Sequence, residues 1–157
     1  MKTCGIIAEY NPFHQGHIYH IQKTKELTQC DCLIAIVSNH FTQRGLFNLL
    51  TMEDKTKLAL EAGCNLVIEL PPCYAAQSAD YFAKYAVESL SQLHIDQICF
   101  GSETNNISTL KEYSKQMEST QVVPSLSMNQ NLYTKNIRPN DILGIQYIKQ
   151  CEKYGIT

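Results

Sequence analysis

The chain has 157 residues, of which 44% are hydrophobic, and its 13 basic and 15 acidic residues leave a net charge of -2. That length can bury the core of one ordinary domain, and the acidic balance excludes the strongly basic footprint usual on RNA-binding surfaces. No stretch is long and apolar enough to span a bilayer and the N-terminus lacks a signal-peptide pattern, so a cytoplasmic protein is expected.

Strands and helices alternate along the chain. Thr3–Glu9 reads as a strand and Gly16–Leu27 as a helix with Ile18, Ile21 and Leu27 toward the sheet. Leu33–Val37 is almost wholly apolar, as suits a parallel strand covered on both faces. A polar loop, Ser38–Leu50, precedes a helix that Thr51 opens, with Asp54 at the capping-box offset, and that runs through Ala62 to a terminating Gly63. Leu66–Leu70 is a third strand, ended by Pro71-Pro72. Ser78 caps a helix to about Leu93, Gln97–Phe100 is a fourth strand, and a weaker helix covers Ser108–Met117. Glu118–Asn136 has no period and reads as a linker or loop, and Asn140–Tyr154 is a last helix. Gly155-Ile156-Thr157 stands where an α/β fold would start another strand.

This alternation implies one α/β domain over residues 1–157, Rossmann-like, with a parallel sheet and helices on both faces. Ligands of such sheets bind beyond the carboxyl ends of the strands. His14, Arg44, Gln77 and Gly101 each follow a strand, so they converge on one edge.

The first of these loops carries the most chemistry. An apolar run breaks at Tyr10-Asn11-Pro12, and His14, Gly16 and His17 then open a helix. A helix N-terminus offers unpaired N–H groups and a positive dipole end to phosphate. Two imidazoles on that first turn add donors for charge building on a reacting phosphoryl group, and Gly16 leaves room for close approach of a nucleotide. The residues alone leave two readings open, nucleotide binding with attack at phosphate and a plain α/β turn. A histidine at such a helix start would carry little of the core. Seven cysteines, with only Cys30-Asp31-Cys32 closely spaced, complete no zinc set. Free thiols and no protein-held metal are expected.

His14-x-Gly16-His17 resembles the HxGH signature of the HIGH-type nucleotidyltransferases, and Gly5 to His20 resembles the start of the bacterial tRNA(Met) cytidine acetate ligase family. Phe41-Thr42-Gln43-Arg44-Gly45, Leu66 to Pro71, Tyr74 to Ala79, Phe100-Gly101-Ser102-Glu103 and Pro139 to Gly144 resemble further blocks of that family in order and spacing. The resemblance implies a two-step enzyme: acetate attacks ATP to give acetyl-adenylate, and the acetyl group passes to N4 of the wobble cytidine of elongator tRNA(Met). It implies His14, His17 and Arg44 as catalytic residues. Ile7, Ala8, Glu9, Tyr10, Asn11, Pro12, Phe13, Gly16, His20, Gly101 and Asn140 would bind the nucleotide, with Mg2+ arriving on ATP.

Departures from that pattern are local and terminal. Asn39-His40 replaces Gly-Asn, Leu46-Phe47-Asn48 replaces Glu-Pro-Ala, and Lys55 stands where Arg is usual. Family members are longer and carry a C-terminal region that supplies much of the tRNA surface, so this chain is expected to be their catalytic core. Plainer roles stand beside the implied ones. Lys55 reads equally as a solvent-facing residue paired with a carboxylate, Glu103 as a turn cap or a ribose partner, Asn140 as a helix cap, and Tyr10 and Phe13 as loop packing. Two other functions remain open: a nucleotidyltransferase acting on a small cofactor precursor, and an inactive nucleotide-binding module.

Overall fold

In the computed structural model, which describes residues 1–119 and 137–157, the apolar runs pair as a parallel sheet. β1 (Thr3–Ala8), β2 (Cys32–Ser38), β3 (Leu66–Leu70) and β4 (Gln97–Ile98) stand in the order β3-β2-β1-β4. β1 pairs with β2 from Thr3↔Cys32 to Ala8↔Val37, and β2 with β3 from Ile34↔Leu66 to Ser38↔Leu70. β4 is shorter than the expected strand. Past Cys99, whose N–H still donates to the Gly5 carbonyl at 3.0 Å, the Phe100 ring packs on Tyr147. The chain builds outward from β1 to β3 and then returns to β1's other side, so strand order reverses between β1 and β4. Ligands of doubly wound folds bind at such a reversal.

The helices are α1 (Gln15–Thr28), α2 (Met52–Glu61), α3 (Pro72–Ala75), α4 (Ala79–Ser91), α5 (Ile107–Ser119) and α6 (Pro139–Tyr154). Because side chains alternate along a strand, β2 feeds two cores. Ile34 and Ile36 meet Phe82, Ala83, Ala86 and Val87 of α4 and Tyr147 of α6 on one face. Leu33, Ala35 and Val37 join Cys4, Ile6, Ile21 of α1 and Ala59 of α2 on the other. Helices thus cover both faces, and the near-continuous apolar character of β2 is explained by this double burial.

Some local expectations need correction. Leu27 does not face the sheet but is 66% exposed, while Thr24 is fully buried. At 100° per residue, positions 21, 24 and 28 share a side that position 27 misses. Thr51 caps α2 as expected, its hydroxyl accepting from Asp54 N at 3.1 Å. Pro72 opens the one-turn α3, the first helical position being one that tolerates proline. Ser78 is the N-cap of α4, but its hydroxyl donates to Asp80 instead of capping the helix. Residues 118 and 119 belong to α5, and 120–136, the rest of the expected linker, lie outside the described residues. The last residue pairs along β4: Thr157 N donates to Asp96 O and its carbonyl accepts from Ile98 N. Among the described residues no helix is long and apolar enough to cross a membrane.

α6 packs closely on Phe100, just past β4, because position 144 has no side chain. A Cβ there would lie 2.7 Å from Phe100 Cε2 and 3.3 Å from Phe100 Cδ2. Gly144→Ala should therefore lower stability, overpacking of about 1–3 kcal/mol outweighing the helix preference of Ala over Gly, about 1 kcal/mol. Gly101→Ala, with nothing within 4 Å of its added Cβ, should leave the urea unfolding midpoint unchanged.

Candidate functional site

β1 delivers its loop to the first turn of α1, where two histidines cap the helix reciprocally. His14 is the N-cap, with φ -147° and ψ 176°. Its Nδ1 accepts from Gly16 N at 3.0 Å, and His17 Nδ1 accepts from His14 N at 3.2 Å. The rings stack with centroids 3.9 Å apart. An imidazole nitrogen that accepts is unprotonated, so the proton of each neutral ring sits on Nε2. The turn thus presents two N–H donors of fixed tautomer beside the dipole end of α1. Gly16 is needed for this arrangement: a Cβ would lie 2.8 Å from His14 Cε1 and 3.0 Å from Nδ1. The room that sequence reasoning assigned to a nucleotide is taken first by the His14 ring.

His17 is more than a surface residue at a helix start. It is half-buried, and its ring lies 4.9 Å from Tyr10 and 5.5 Å from Phe13. Burial, with His14 and His20 adding, pulls its imidazole down to about 4. His20 is shifted the same way by burial, against a raising influence from the Cys99 backbone, and its Nε2 is buried. Tyr10 is 1% exposed, so its ring belongs to the core with Phe13, at 4.8 Å, and burial pushes its phenol up. The packing role therefore fits Tyr10 better than stacking on a base. Pro12 follows a cis peptide bond. Ile7 and Ala8 are half-buried at the end of β1.

The loop after β2 is folded on itself and tied to its neighbours. Phe41 and Phe47 form an antiparallel bridge around a turn in which Gly45 has φ +77°. Gln43 N donates to the Glu9 carboxylate, Gln43 Nε2 to the Gln77 carbonyl, and Leu49 N to Asn11 Oδ1. The side chains of Glu9 and Asn11, expected at the nucleotide, thus serve to hold this loop. Arg44 at its tip is exposed and makes no hydrogen bond or ion pair with the described residues.

Lys55 corrects the sequence reading most. It does not face solvent: it is fully buried in α2, and its Nζ donates to the Glu9 carbonyl at 2.6 Å and the Ser38 carbonyl at 2.9 Å. Burial pulls the ammonium down to about 8, with the Glu9 carboxylate opposing. The usual rule that lysines are solvated offered no sign of this in one sequence.

The other side of the strand-order reversal is built after β4. Gly101 is exposed with open space above it. Glu103 caps α6, its carboxylate oxygens accepting from Asn140 N at 3.3 Å and Asp141 N at 3.0 Å. The N-cap position itself is Arg138, without a side-chain cap bond, so Asn140 is not the helix cap and its side chain stands exposed in the first turn. Asp141, 2% exposed, went unnoticed in the sequence, although an acid in a first helical turn is a recognised signal. It accepts from Ser102 Oγ, Thr104 N and Thr104 Oγ1. Burial would raise its carboxyl, but these bonds hold it below the usual range. All seven cysteines are free, and among the described residues no three His, Cys, Asp or Glu side chains are grouped to hold a metal.

Similarity to known proteins follows this geometry. A family profile described as HIGH Nucleotidyl Transferase matches residues 1–157. The tRNA(Met) cytidine acetate ligase of Geobacillus sp. (strain WCH70) is 41% identical over 169 residues, covering 95% of this chain and 42% of that protein. The ligase of the same name from Clostridium novyi (strain NT) is 40% identical over 182 residues, covering 100% of this chain and 46% of that one. Among solved structures, Thermotoga maritima TmcAL bound with alpha-thio ATP has a TM-score of 0.87 at 30% identity, over 99% of this chain and 44% of that chain. The chain thus spans less than half the length of these relatives.

The His17 shift has a measurable consequence. Between its folded value, about 4, and the usual histidine value near 6.5, the unfolded chain binds the proton and the folded chain does not. Stability is therefore fully present above about 6.5 and is lost as pH falls through 4. Melting temperature recorded from pH 7 to 4 should fall across that window. His17→Asn, which has no titrating ring, should flatten the part of the slope that His17 causes.

Proposed function

The chain belongs to the HIGH nucleotidyltransferase family, and on that premise we propose that it is the adenylate-forming catalytic domain of a tRNA(Met) cytidine acetate ligase. The observation that carries this reading is the pair of Nε2–H donors held by the α1 cap, on the edge where the parallel strands end.

ATP is the nucleotide, and its phosphates lie against the first turn of α1. A carboxylate oxygen of acetate attacks the α-phosphorus, the bond to the pyrophosphate oxygen breaks, and acetyl-adenylate forms. His14 and His17 donate through Nε2 to oxygens whose negative charge grows in the transition state. Their tautomers are set before the reaction, so little reorganisation accompanies it. Arg44, exposed and without a hydrogen-bond or ion-pair partner among the described residues, supplies the cation for the phosphates or the acetate carboxylate. Gly101 and Asn140, brought close by the Glu103 and Asp141 bonds, form the wall for the adenosine. Mg2+ would arrive on ATP, held through phosphate oxygens and water, its usual mode beside a nucleotide. In the second step N4 of the wobble cytidine attacks the acetyl carbon, AMP departs, and the amine loses a proton. The tRNA is the partner of the complete enzyme, as in the relatives' printed names.

Acetate-dependent exchange of labelled pyrophosphate into ATP tests the reading. Exchange only with a phosphorylated small molecule would move the chain to cofactor-precursor chemistry, and ATP binding without any exchange would leave an inactive module. His17→Asn keeps an acceptor near the Nδ1 position and removes the Nε2 donor. It should slow exchange by roughly two orders of magnitude, about 3 kcal/mol in the barrier, with a much smaller change in the ATP dissociation constant. A variant exchanging at the wild-type rate would remove His17 from the chemistry.

A further inference from the structure

Hydrogen bonding between β1 and β2 ends at the pair Ala8↔Val37. The two chains then part. One enters the Tyr10–His14 turn, and the other enters the Asn39–Leu49 loop that carries Arg44. At the point where β2 parts from β1, the carbonyls of Glu9 and Ser38 both accept from Lys55 Nζ, at 2.6 and 2.9 Å, while Ser38 still pairs with Leu70 of β3. The Ser38 carbonyl also accepts from Asn48 Nδ2 at 3.4 Å. A buried side chain from α2 thus links β1 and β2 one step past the end of their pairing. Partial negative charge on two convergent carbonyls is what permits an ammonium with no exposed surface, and the Glu9 carboxylate favours its charged form.

We propose that Lys55 is a positioning residue that sets the separation of the two phosphate-facing loops by clamping the Glu9 and Ser38 carbonyls at the end of the sheet. This rests on the nucleotide-binding reading of those loops for its catalytic consequence, but not for its structural one. Downstream of the clamp the loops are joined by polar contacts. These are Gln43 N to the Glu9 carboxylate, Leu49 N to Asn11 Oδ1 and Asn11 Nδ2 to the Phe47 carbonyl at 3.4 Å. Their register follows from where the clamp holds the two backbones.

Hydrogen exchange on nucleotide-free protein reads this directly. Lys55→Met keeps the length and removes both donors. The amides of Gln43 and Leu49 should exchange about tenfold faster, the size set by one lost hydrogen bond, while Ile36 in β2 keeps its protection. Lys55→Arg, which restores donors, should return the loop amides toward wild type. Should the methionine variant not fold, Lys55→Gln, whose shorter side chain does not carry its amide to the Lys55 Nζ position between the two carbonyls, is read the same way. In the variant that folds, the pyrophosphate exchange rate should fall about tenfold, chiefly in kcat with less change in KM for ATP. Unchanged loop amides, or protection lost equally in the loops and in β2, would overturn the proposal. Wild-type protein that binds no ATP would instead overturn the functional reading and leave the amide result standing.

Discussion

A parallel sheet places every strand's carboxyl end on one edge, and that constraint governs the whole site. The loops after β1, β2, β3 and β4 must all emerge together there, with no ladder left to align them. Alignment falls to polar cross-links between loops: Glu9 to Gln43, Asn11 to Leu49, Gln43 to Gln77, and Glu103 with Asp141 across to α6. Lys55 is the deepest of these. The histidines can be held in one geometry because the loops around them are fastened at several independent points.

The sequence foretold the elements whose cause is local or periodic. The double-faced apolar run of β2, the proline stop after β3 and the Thr51 cap all follow from neighbours within a few residues. The convergence of His14, Arg44, Gln77 and Gly101 on one edge follows from alternation alone. Long-range polar contacts were not legible. The partners of Lys55 lie 46 and 17 residues away, and those of Asp141 lie 37 to 39 residues away. A lysine in a helix and an acid in a first turn carry ordinary surface signals, and only the folded chain shows them buried. The same applies to Glu9 and Asn11, whose motif positions point to the ligand while their side chains brace the adjacent loop.

The wall after β4 shows how packing and chemistry share residues. Gly144 lets α6 approach Phe100, and that approach brings the first turn of α6 within reach of Glu103 and Ser102. The exposed Asn140 and Gly101 then each adjoin a residue of one hydrogen-bonded corner. Buried carboxylate bonds of this kind define a single arrangement more sharply than apolar contact alone.

The reciprocal histidine cap also decides what sort of anion site the proposed function would use. The rings stack 3.9 Å apart and each Nδ1 already accepts from a backbone N–H, so what each ring has to offer is its Nε2–H dipole. Attraction that rests on oriented dipoles at contact distance escapes the counterion screening that weakens separated charges beyond about 8 Å at physiological ionic strength. On the proposed reading this turn grips a phosphate by direction, making it exacting about where the oxygens stand and less sensitive to the surrounding salt than a site built on separated charges.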